Sequence, residues 1–137
     1  MATGHGRLVL DALRYFGIVF ATGFALALVR IPFLVPALGM RAAELLEMPV
    51  MWAVIAWASR RLVRSPRRPS ALYCLAAGLL ALALLLAAEL AVGVAQGARS
   101  LADLLAGRDP VSGSVYLVSL LAFGLAPWLW RRAGPRD

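Results

Sequence analysis

Residues Ala71–Ala95 read ALYCLAAGLLALALLLAAELAVGVA, with Glu89 as the one charged side chain. At ~1.5 Å per residue the run makes a helix of about 37 Å. A bilayer's hydrocarbon core is about 30 Å thick, so the segment is long enough to cross it with some tilt. Leu79–Leu86 is built of Ala and Leu alone. A stretch of this kind has no polar face to turn toward water, and it sets the solvent in which the rest of the chain is read.

Three further runs follow the same pattern. Leu8–Val29 gives about 33 Å of helix, Ala42–Ser59 is shorter, and Pro110–Trp130 gives about 31 Å. The expected fold is therefore all-α: a four-helix transmembrane bundle forming a single domain over residues 1–137. Composition agrees. The chain of 137 residues is 62% hydrophobic, with a mean hydropathy of +0.81. Soluble domains are roughly 45–50% apolar, and a chain this small has too little interior to hide the excess. Ala25-Leu26-Ala27 matches a signal-cleavage pattern, but the apolar run continues through Leu28 and Val29, so the first span is expected to be retained.

All 14 basic residues are arginine, and the net charge is +7. With no Lys or Asn and much Ala and Leu, this usage points to a GC-rich bacterial genome. The arginines flank the apolar runs, which favours membrane orientation over nucleic-acid binding. RRLVRSPRRPS (Arg60–Ser70) carries Arg60, Arg61, Arg64, Arg67 and Arg68. The N-terminal region has Arg7 and Arg14, and the C-terminal tail has Arg131, Arg132 and Arg136. Arg30, Arg41, Arg99 and Arg108 lie in the other two loops. The positive-inside rule then places both termini and the middle loop in the cytoplasm, in a bacterial inner membrane. Trp128 and Trp130 before Arg131 and Arg132 make an interfacial anchor for the fourth span.

The outer connections carry structure of their own. Ile31–Met40 (IPFLVPALGM) holds two prolines and a glycine and cannot be a regular helix throughout. It is expected to hug the outer interface or tuck between helices, since irregular backbone is not tolerated against lipid. Ser100–Asp103 resembles a capping box, and a short interfacial helix is expected there. Asp109 and Pro110 suit the N-cap and first position of the fourth span.

The candidate site is a polar cluster of Arg30, Arg41, Glu44, Glu47 and Glu89. Acids inside a membrane cost about 2.5–3.5 kcal/mol each at the bilayer centre, so they face the bundle and find partners. Arg41, Glu44 and Glu47 recur at threefold spacing on one helix face. Glu89 lies about 9 Å inside the end of its helix. Pro49 leaves the Leu45 carbonyl without its helical partner and is placed to kink the helix. Tyr116 is placed either to join this cluster or to act as an interfacial aromatic. The cluster either neutralises itself and fixes helix register, or binds and moves cations or protons. Asp11 and Arg14 are spaced to pair with each other. Gly17, Ala21 and Ala25, and Gly93 with Gly97, offer close helix packing.

Enzyme classes fail on inventory. There is no G-x-S-x-G, H-E-x-x-H or Walker A pattern, and the chain has one His and one Cys. No catalytic residue, metal site or cofactor is assigned; His5 reads as a solvated bystander and Cys74 as a small apolar residue. The expected partners are the lipid bilayer and either a membrane-protein partner or further copies of the chain, with no nucleic acid.

AELLEMP at Ala43–Pro49, RDPVSG at Arg108–Gly113 and the four-span layout resemble a family of small, uncharacterised bacterial inner-membrane proteins, chiefly proteobacterial. The likeness covers most of the chain and implies no activity. The layout also looks superficially like small multidrug transporters, but those place their key Glu in the first helix, where this chain has none. The expected role is a non-enzymatic accessory or structural membrane component. The alternative is a small oligomeric transporter or channel-like protein that uses its intramembrane Glu residues.

Overall fold

The computed structural model describes residues 4–66, 69–95, 97 and 110–133. It is an all-α bundle of four long helices: α1 (Gly4–Val29), α3 (Met40–Val63), α4 (Ala71–Ala95) and α5 (Pro110–Ala133). All four are long and apolar enough to cross a membrane, and the chain is a multi-pass membrane protein. A five-residue π-helical turn (Arg30–Leu34) and a short helix, α2 (Val35–Leu38), extend α1. The expected interfacial helix at Ser100–Asp103 and the Asp109 cap lie outside the described residues.

The apolar segment after Val29 differs from expectation. It is not a loop: helix continues unbroken from Gly4 to Leu38 over 35 residues. Pro32 and Pro36 lack the N–H that an α-helix requires. The π turn, bonded i→i+5, occupies Arg30–Leu34 around Pro32, and Pro36 falls in the first turn of α2, where its missing N–H costs least. The chain turns at Gly39, whose φ of 87° is cheap for glycine alone. The Gly39 N–H donates to the Val35 carbonyl and its own carbonyl accepts from Ala43. One glycine thus closes one helix and opens the next. Elsewhere the ends follow local chemistry. The Ser70 hydroxyl accepts from the Tyr73 N–H and caps α4. Arg60 and Arg61 close α3, and Arg131 and Arg132 close α5, where cations suit the helix dipole.

α1 packs beside α3 and α4, and α5 packs beside the same two. The α3–α4 connection therefore crosses a diagonal of the bundle. Side-chain contacts give the directions. Arg30 meets Glu47, and Gly23 lies against Met51, so α1 and α3 are antiparallel. Gly78 and Leu82 approach Gly124 while Glu89 meets Tyr116, so α4 and α5 are antiparallel. Asp11–Tyr73 and Trp52–Ser119 tie these pairs together in parallel. One end of the bundle gathers Arg7, Arg14, Arg60, Arg61, Arg131 and Arg132. The other gathers Arg30, Arg41, Glu44, Glu47 and Glu89. We refer to them as the arginine end and the glutamate end.

The interior is small and partly polar. Ala12, Ala43, Ala77 and Ala81 are fully buried, and Ser59 with them. Leu28, Ile31, Phe33, Leu72, Val118 and Leu121 are exposed. Small residues where helices meet and large apolar side chains facing out are what a lipid solvent selects; Tyr15 and Phe123 are the large side chains buried within.

Candidate functional site

The glutamate end holds two polar pairs, one on each antiparallel helix pair. The first joins Arg30, at the start of the π turn, to Glu47 on α3, with Nη1 2.8 Å from Oε2. The Glu47 residue is 7% exposed, so this is an ion pair in a largely dry setting. It is half satisfied: Arg30 Nε and Glu47 Oε1 are buried without a hydrogen-bond partner among the described residues. Glu44 lies one turn before Glu47 and within electrostatic reach of it, half-buried, while Arg41 is exposed.

The second pair is Glu89 and Tyr116. The Tyr116 hydroxyl donates to the Glu89 carboxylate, bridging α4 and α5. Glu89 is therefore met by a phenol and by no arginine among the described residues. The sequence reading places three acids and two arginines in one cluster. In the structure the Arg30–Glu47 and Tyr116–Glu89 pairs are separate contacts on different helix pairs. The cause is topological. Sequence spacing orders residues along a helix but does not say which helices are neighbours, and α4 pairs antiparallel with α5 rather than with α3.

The other expectations fared variously. Pro49 lies within α3 without ending it. Asp11 accepts from the Tyr73 hydroxyl at 2.6 Å, a partner on α4 that the Asp11–Arg14 spacing did not suggest. A Cβ added at Gly17 would meet nothing within 4 Å, and Ala21 and Ala25 are exposed. The small-residue stripe on α1 therefore faces outward. Tyr15 and Val19 face the core, and Gly17 lies two residues, about 200°, around the helix from Tyr15. Gly93 is buried near the end of α4, and Gly97 lies beyond that end with φ of 103°. Cys74 is fully buried and His5 exposed.

The tightest packing lies where no motif marked it. A Cβ on Gly78 would stand 2.1 Å from the Gly124 carbonyl oxygen, and one on Gly124 would stand 2.9 Å from Leu82 Cδ2. Helices α4 and α5 thus touch backbone to backbone. Pro127, fully buried beside Gly78, has no N–H to give to the Phe123 carbonyl four residues earlier. That carbonyl instead accepts from the Tyr15 hydroxyl at 2.7 Å. The Tyr15 ring stacks on Phe123 with centroids 4.5 Å apart, filling the middle of the bundle across its diagonal. The signal that could have found this is the proline: in lipid a carbonyl freed by Pro127 needs a donor from another helix. Ser119 makes a similar bridge, accepting from Trp52 Nε1 on α3 and donating to the Val115 carbonyl on its own helix.

Comparison of the chain with protein-family models, with curated proteins and with solved structures finds no match in any of the three.

Proposed function

We propose that this is a non-enzymatic, structural or accessory component of a bacterial inner membrane, with its termini and the arginine end in the cytoplasm. The observation that carries the reading is how the two glutamates Glu47 and Glu89 are used. Each is spent on a contact between neighbouring helices, to Arg30 and to Tyr116 respectively. Groups paired in this way fix which helices adjoin and in what register. The stacked Tyr15 and Phe123 occupy the centre, where a transport path through a single bundle would have to pass. Orientation is supported by the ten arginines on one side of the spans against four on the other. An accessory component works by contact with another membrane protein. Gentle solubilisation of the full chain from its own membrane should then recover a partner, and Glu89→Gln should leave that association in place. A chain that purifies alone and carries flux in liposomes would end this reading.

One observation favours a second reading. Beside the Arg30–Glu47 contact, Arg30 Nε and Glu47 Oε1 are buried with no hydrogen-bond partner among the described residues. A small oligomeric transporter or channel-like protein would use such a pair to hold a proton or a cation. Its signature is proton- or cation-coupled flux in liposomes that Glu47→Gln abolishes while the helical content and thermal midpoint stay put.

A further inference from the structure

Helices α3 and α5 run parallel and leave an open groove of about 360 Å³ between them on the outer face of the bundle. Ala56, Ala122 and Ala126 line it, together with Trp52 and Trp130. From Ala122 to Ala133 it extends eleven residue rises, about 16 Å. Half of a hydrocarbon core of about 30 Å is ~15 Å, so the groove is as deep as one leaflet.

The mouth of the groove lies at the arginine end. There the Arg60 guanidinium lies 5.6 Å over the Trp130 ring. The Arg61 guanidinium lies 5.4 Å from the Trp57 ring centroid, and that of Arg132 lies 5.3 Å from the Trp128 centroid. None of these three arginines pairs with a carboxylate among the described residues. A guanidinium not engaged by a carboxylate has its N–H fork available for phosphate oxygens. An apolar slot one leaflet deep, opening beneath arginines that pair with no carboxylate among the described residues, matches one kind of molecule at both ends. We propose that the α3–α5 groove binds a single anionic phospholipid of the leaflet at the arginine end. One acyl chain lies along Ala56, Ala122 and Ala126, and the phosphate sits against Arg60. Basic pockets between spans are where such headgroups bind.

The test uses the full chain in phosphatidylcholine nanodiscs doped with spin-labelled phosphatidylglycerol or spin-labelled phosphatidylcholine, and reads the motionally restricted fraction. Phosphatidylglycerol is expected to be held at least ten times more tightly. Arg60→Gln should reduce that preference about fivefold, the change that ~1 kcal/mol per basic side chain gives. Ala122→Leu, a lipid-facing change that fills the groove, should lower the restricted fraction for both labels while the thermal midpoint stays unchanged. Inorganic phosphate at constant ionic strength should leave the preference intact. Equal restriction of the two lipids overturns the proposal. So does displacement by inorganic phosphate, which would assign the arginines to a free anion. A shift from dimer to monomer on Ala122→Leu, with the lipid signal unchanged, overturns it in favour of a second copy in the groove.

Discussion

The two antiparallel helix pairs are held together by opposite means. α1 and α3 are joined by charge: Arg30 reaches from the π turn to a buried Glu47. α4 and α5 are joined by proximity: at Gly78 and Gly124 the backbones touch, and Tyr116–Glu89 adds a polar clasp farther along. Lipid explains why both devices occur. Between helices in a membrane the hydrophobic effect supplies little, because lipid tails are as apolar as leucine. Association then comes from close packing or from polar groups that have no alternative partner. This protein relies on charge on the α1–α3 side and mainly on close packing on the α4–α5 side, and the Tyr15–Phe123 contact ties the two sides across the middle. A pair held by proximity should fail on the addition of a methyl group. A pair held by charge should fail on the loss of one partner and recover on the loss of both.

The largest effect is expected at Gly78. Gly78→Val must push α4 and α5 apart, because even its Cβ would lie 2.1 Å from a backbone oxygen that cannot rotate away. Overpacking typically costs about 1–3 kcal/mol, and more where backbone must move. We expect this variant to recover little folded protein on titration from denaturing into mild detergent. Native-like refolding would show that proximity does not hold the α4–α5 pair.

Next comes Arg30→Met, which leaves Glu47 buried without its cation. Breaking a buried pair from one side costs about 3–5 kcal/mol. The Arg30 side chain is 25% exposed, so about 2–3 kcal/mol is expected in the same titration. The double variant Arg30→Met/Glu47→Leu should return to within about 1 kcal/mol of the parent. If the double variant is as unstable as the single one, the pair is not acting by charge, and the contrast between the two sides collapses.

A smaller loss is expected for Tyr15→Phe. The ring stack remains, but the Phe123 carbonyl loses its donor while Pro127 still offers none. An unsatisfied buried carbonyl costs about 1–2 kcal/mol. The unfolding midpoint should fall accordingly, with the far-ultraviolet spectrum unchanged. A midpoint equal to the parent's would mean that the diagonal contact is packing alone.

The smallest effect sharpens the first. Gly17→Ala adds its methyl group to open space on α1. It should be neutral, or stabilise by up to about 0.5–1 kcal/mol through helix propensity. A strong destabilisation by thermal melting would mean that the outward face of α1 is a protein contact.

The four crossings and the sorting of charge along them were legible in the sequence, while the first helix ran on past Val29 to Leu38. Crossings and sorting are each set by the solvent. Lipid demands about 20 apolar residues per span, and the cost of burying arginine keeps it at the ends, so both leave a one-dimensional trace. Arg30 and Glu47 were legible as members of a polar site for the same reason. Tertiary structure alone decided who meets whom. That Glu89 takes Tyr116, that Gly78 rather than Gly17 marks the close crossing, and that Tyr15 answers the carbonyl freed by Pro127 all depend on the order of helices around the bundle. In spans this uniformly apolar, Ala and Leu look alike on every face, and no periodicity names the inward one. The facing is set by a few backbone approaches and polar contacts between residues as many as 108 positions apart, and these exist only once the helices have packed.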